Sequence, residues 1–91
     1  DDIPLSMASE RETGFIAVHL YNRVDPKGFF KRIEHIMDQF NGRPHWGKLH
    51  SLESAQLAKL YPRWSEFTEA RKALDPDGHF TNSYLERVLG Y

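Results

Sequence analysis

Two cations, two imidazoles and an indole fall within eight residues of this chain, Arg43-Pro44-His45-Trp46-Gly47-Lys48-Leu49-His50, and no other stretch is so dense in groups able to do chemistry. Pro44 fixes its own φ and biases Arg43 towards extended geometry, while Gly47 permits backbone that a side chain would forbid. The segment therefore reads as an ordered, non-helical connection. On an extended backbone alternate side chains share a face, which predicts His45 and Gly47 on one side and Trp46 and Lys48 on the other. An ammonium such as Lys48 can donate to substrate oxygens or stabilise a developing alkoxide, and an imidazole such as His45 can orient a ring. Trp46 suits anchoring by packing. The competing reading is a loop whose Trp46 plugs the core while His45 and Lys48 are only solvated.

Other chemistries find less support. The chain has five histidines, and their spacing matches neither a helical His-x-x-x-His pair nor a zinc knuckle, so no metal site is expected. There is no Gly-x-Ser-x-Gly elbow for a serine hydrolase. A formal net charge of −1 supplies no field for nucleic acid or an anionic membrane. No apolar run approaches the ~20 residues that span a bilayer, and no signal segment opens the chain. With no cysteine there is no disulfide framework, a composition compatible with a cytoplasmic protein. Ninety-one residues allow one small domain, and its aromatic residues are enough to build a core.

The elements that must position the central segment follow from periodicity. Residues 1–12 read as an opening loop or weak edge strand. Residues 13–22 are β-prone, and alternation predicts a strand with Ile16, Val18 and Leu20 towards the core. The opposite face would carry His19 and Tyr21, two hydrogen-bonding side chains on one side that could line a substrate pocket; plain packing at a sheet surface is the alternative. Asp25 is placed to cap a helix over 26–40 with Pro26 at its first position. Phe29, Ile33, Ile36, Met37 and Phe40 give that helix an apolar stripe, and Asn41-Gly42 ends it. Residues 51–61 read as a short helix stopped by Pro62, and a further helix carries Trp64, Phe67, Arg71 and Leu74 along one face. Asp75-Pro76-Asp77-Gly78 is turn chemistry. Asn82 is placed to cap a last helix that Gly90 stops. The fold class expected is α+β, one or two strands of a small antiparallel sheet with about four helices.

Arg43 to Lys48, followed by Leu60-Tyr61-Pro62-Arg63-Trp64, then Leu74-Asp75-Pro76-Asp77-Gly78-His79-Phe80 and Asn82-Ser83-Tyr84-Leu85, resembles the carboxyl end of the aldonolactone and alditol oxidases. These are FAD-linked oxidoreductases of the vanillyl-alcohol-oxidase superfamily. The likeness runs from about Gly14 to the terminus, and the order and spacing of several separate motifs make it specific. The resemblance implies that His45 lies against the flavin. It also implies that Lys48 reaches the polyol or lactone held over the isoalloxazine ring, as a catalytic and substrate-binding residue.

It implies further that residues 1–91 are the C-terminal part of a substrate (cap) domain, whose partner is an FAD-binding domain lying upstream. The parent would be an oxidase with oxygen as acceptor, and this portion would be inactive and free of FAD by itself. The Glu-x-Arg pair that the family carries on a neighbouring strand is not recognisable, since Glu10-Arg11-Glu12 lacks a strand pattern around it. A reading from a different class is a non-catalytic interaction domain, exposing an apolar surface to a partner.

Overall fold

Capping chemistry sets the helices. In a computed structural model that describes residues 1–90, Asp25 Oδ1 accepts from the Lys27 N–H at 3.1 Å and starts α1, Pro26–Asp38, with Pro26 in the first turn. The helix ends as its sequence predicts. Asn41 adopts a positive φ of 53°, and the Gly42 N–H returns to the Met37 carbonyl at 2.8 Å, a Schellman-type closure. Gly42 is required there, because a Cβ would lie 2.8 Å from Met37 Cβ and 2.9 Å from its carbonyl oxygen.

Helix α2 spans Ser54–Leu60, α3 spans Trp64–Leu74 and α4 spans Ser83–Leu89. Gln56 Oε1 accepts from the Glu53 N–H at 3.0 Å at the start of α2. Asn82 Oδ1 accepts from the Leu85 N–H at 2.9 Å at the start of α4, and Gly90 ends that helix with φ 72°. Between α3 and α4, Asp75 organises its turn by accepting the His79 and Phe80 N–H groups at 2.8 Å each. These bonds hold the Asp75 carboxyl below its ordinary pKa, the Phe80 bond contributing most.

The core is small. Helices α2 and α4 pack on each other through Leu57, Tyr61 and Val88, and Leu5, Trp46, Leu52, Leu60, Trp64, Tyr84, Leu85 and Leu89 surround that centre. The molecule is flat, 42 × 30 × 17 Å.

Two expectations are overturned. The described residues contain no strand, so the antiparallel sheet of the α+β reading is not seen and the architecture is helical. Residues 13–21 carry no regular structure, and Phe15 and Ile16 are 67% and 74% exposed. β propensity is a preference for a half-buried pleated surface, and this segment has no neighbouring strand to complete one. The stripe of α1 is real but does not form the core. Phe29 and Ile33 are half-buried, Ile36 and Phe40 are exposed, and α1 buries no residue fully. It is tied to the body through Glu34, whose carboxylate accepts from the Ser51 N–H and hydroxyl at 2.5 Å each.

Candidate functional site

The central segment is held from behind by long-range hydrogen bonds. Arg43 leads it, and its guanidinium donates from Nε to the Leu60 carbonyl at 2.8 Å, and from one terminal nitrogen to the Ser9 and Met7 carbonyls at 2.8 and 3.2 Å. Its Cζ lies 4.6 Å from the centre of the Tyr61 ring. Partial burial, then Arg11, lowers the Arg43 pKa, but an arginine stays cationic at neutral pH. Burial likewise pushes the Tyr61 hydroxyl up, so it stays protonated. Arg43 thus joins the N-terminal loop, the end of α2 and the segment after α1.

Residues 45–48 form a turn and not the extended run expected. The Lys48 N–H donates to the His45 carbonyl at 3.0 Å, which makes Trp46 and Gly47 the central pair. Neither central residue has a positive φ, so the freedom of Gly47 goes unused. The opposed faces predicted for His45 and Lys48 are replaced by the two ends of one turn. Trp46 anchors it inward. Its Nε1–H donates to the Leu5 carbonyl at 2.9 Å, and its indole stacks on Tyr61 with ring centres 5.4 Å apart. The Trp46 carbonyl accepts from the Tyr84 hydroxyl of α4.

His45 and Lys48 both face solvent. His45 Nδ1 accepts from the Gly47 N–H at 3.0 Å, so the neutral ring carries its proton on Nε2, and that N–H is turned away from the turn as a donor. Lys48 has no hydrogen bond or ion pair to another side chain among the described residues. The turn therefore presents one imidazole N–H and one ammonium without an internal acceptor. His19 and Tyr21 are exposed on the irregular segment, and no hydrogen bond among the described residues joins either side chain to the turn. The shared strand face that paired them does not exist.

Arg43, His50, Tyr84 and Arg87 carry the geometry without having been given roles by sequence reasoning. Arg87 donates to the Leu52 carbonyl at 2.6 Å and sits 5.3 Å from the centre of the Tyr84 ring. His50 Nε2 lies 3.2 Å from the Tyr84 hydroxyl. Arg43 and Tyr84 both stand inside motifs that signalled the resemblance, which was the available sign that they matter.

Comparison with known proteins agrees with this arrangement of motifs. The chain is 48% identical over 90 residues to an L-gulono-1,4-lactone dehydrogenase of Mycobacterium tuberculosis, covering 99% of this chain and 21% of that protein. It is 38% identical over 93 residues to the L-gulonolactone oxidase of Mus musculus, covering 98% of this chain and 21% of the relative. It is 42% identical over 59 residues to an alditol oxidase of a Streptomyces species, covering 65% of this chain and 14% of the relative. The chain thus spans about a fifth of the length of the first two relatives. No solved structure matches it. No helix among the described residues is long and apolar enough to cross a membrane. The sequence model of the D-arabinono-1,4-lactone oxidase family matches residues 1–88, which include the turn, its anchors and most of α4, and the chain belongs to that family.

Proposed function

We propose that this chain is the C-terminal part of the substrate (cap) domain of an FAD-dependent oxidase acting on an aldonolactone or alditol, in which Lys48 binds and activates the substrate and His45 contacts the flavin. The observation that carries the reading is the 45–48 turn: anchored inward by Trp46, it carries an imidazole N–H and an ammonium outward with no internal acceptor. Those donors suit an oxygen-rich polyol or lactone and the carbonyl edge of a flavin. They suit one wall of a site and not a whole one, since nothing in the described residues forms a glycine-rich cradle for a pyrophosphate. The remaining walls belong to the FAD-binding domain of the same parent chain.

A flavin bound against His45 would supply the redox chemistry, as the acceptor of hydride from the carbinol carbon. Lys48 donates to the reacting oxygen, and its charge stabilises negative charge developing there. His45 offers its Nε2–H to orient the ring. His19 and Tyr21 remain assigned to substrate contact through their exposed hydrogen-bonding groups. The relatives divide over the acceptor, one being named a dehydrogenase and others oxidases. Oxygen is the acceptor proposed here.

The test uses the full-length parent with a panel of aldonolactones and alditols, reading peroxide formation beside reduction of an artificial dye. Lys48→Met is expected to lower kcat/KM by about ten- to a hundredfold with the fold intact, the equivalent of ~1.5–3 kcal/mol for a charged hydrogen bond. His45→Ala is expected to alter flavin content or its visible spectrum. Unchanged turnover in Lys48→Met on every compound, with a lowered Tm, makes the lysine structural and ends the assignment. Dye reduction without peroxide ends the choice of oxygen.

A further inference from the structure

The turn that carries His45 and Lys48 has two states open to it, and two half-buried side chains behind it, His50 and Tyr84, bear on which is adopted. Type I and type II turns differ by a flip of the central peptide, and a glycine third in the turn admits both. Here that glycine is Gly47, and its φ is not positive, so the type II alternative is not adopted. Nothing about space demands glycine in this state: a Cβ at position 47 would meet only the His45 ring, at 3.4 Å.

The central peptide is held at both ends: within the turn the Gly47 N–H donates to His45 Nδ1 at 3.0 Å, and from the body of the fold the Tyr84 hydroxyl donates to the Trp46 carbonyl. That carbonyl belongs to the peptide that would have to flip. A carbonyl cannot donate, so the hydroxyl proton is committed to Trp46, and the 3.2 Å contact with His50 needs Nε2–H as donor into the Tyr84 oxygen. His50 is thereby set in one tautomer, with its proton on Nε2 and its buried Nδ1 left without a partner. Burial and then Arg87 lower the His50 pKa, which favours that neutral form. Arg87, over the Tyr84 ring and bonded to the Leu52 carbonyl, fixes the far side of the tyrosine.

We propose that His50 and Tyr84 are positioning residues that select one orientation of the Trp46–Gly47 peptide and so set how His45 and Lys48 are presented to flavin and substrate. The presentation to flavin and substrate rests on the function proposed above; the selection of the turn state does not.

The experiment separates the two in the full-length protein. Hydrogen exchange over residues 44–50 reads the turn, and kcat and KM with an aldonolactone read the site. Tyr84→Phe keeps the ring and deletes the hydroxyl, and is expected to speed exchange of the segment about tenfold and to lower kcat more than KM rises. Adding Gly47→Ala, which disfavours the positive φ of the other state, is expected to restore slow exchange. His50→Gln, whose amide N–H can still donate to Tyr84, is expected to stay nearer the parent than His50→Leu does. Unchanged exchange in Tyr84→Phe overturns the proposal, as does a Gly47→Ala addition that restores nothing or a His50→Gln variant no better than His50→Leu. Exchange and rescue as expected with kcat/KM untouched supports the selection of the turn state and removes the assignment of His45 and Lys48.

Discussion

The Arg43 guanidinium lies over Tyr61, 4.6 Å from Cζ to ring centre, which places one ion over the most buried aromatic ring of the core while its nitrogens donate to backbone carbonyls of two segments, the N-terminal loop and the end of α2. Tyr61 in turn stacks on Trp46, so the side chain that begins the central segment and the one that anchors its turn share a ring. The cation satisfies carbonyls of the N-terminal loop and of α2 that would otherwise lie beside apolar side chains.

Arg43→Lys tests that role, since an ammonium cannot reproduce the fork that reaches Leu60, Met7 and Ser9 together. It is expected to cost about 1.5–3 kcal/mol, the range for a lost charged hydrogen bond, read as a lower urea midpoint with an unchanged m value.

Trp46 separates packing from hydrogen bonding. Trp46→Phe keeps a ring against Tyr61 and loses the bond to the Leu5 carbonyl with a smaller part of the packing, the bond accounting for an expected cost of about 0.5–1.5 kcal/mol. Trp46→Ala removes both, and because the indole is only partly buried the cost falls at the low end of the range for aromatic deletions, about 3 kcal/mol. Equal losses in thermal unfolding of the two variants would contradict the division.

His50 makes stability depend on pH. Its folded pKa is lowered from the ordinary 6.5, by burial first and Arg87 second, with Glu34 opposing. The unfolded chain therefore binds more protons than the folded one as pH falls below about 6.5, and unfolding free energy declines with it. The contribution is complete above that pH and is lost as pH falls through the folded pKa. His50→Gln is expected to flatten the stability profile across that window, and urea midpoints in a pH series measure it. A slope equal to that of the parent chain would show that another group titrates there.

The 91-residue chain by itself is expected to bind FAD negligibly. One imidazole and one ammonium on an exposed turn do not offset the loss of translational and rotational freedom on association. Equilibrium dialysis against FAD is the measurement, and stoichiometric binding would contradict the view that this portion supplies one wall only.

Helices were legible because their signals are local. Asp25 with Pro26, Asn41 with Gly42, and Asn82 with Gly90 each act within a few residues, and each does in the structure what its type predicts. The strand over 13–22 was misread because its signal was propensity alone, and a strand needs a neighbour that a list of residues does not supply. The turn at 45–48 was misread for a related reason. Its shape is set by Leu5 and Tyr84, 41 residues before and 38 residues after Trp46, and no reading of Pro44 and Gly47 could include them. The same distance hid His50, whose partner Tyr84 lies 34 residues on, and Arg87, which stands beside Tyr84 on α4 but donates to the Leu52 carbonyl 35 residues before it.

Helix α1 buries no side chain and is fastened to the body chiefly by the Glu34 carboxylate at Ser51 and the tight reversal at Gly42. Its backbone bonds are therefore expected to break at little cost to the rest of the fold, with α1 exchanging its amides ahead of the α2 and α4 pair. A protease added to the native chain would meet its first accessible bonds there, and cleavage within α1 would leave the Arg43, Tyr61 and Trp46 assembly standing.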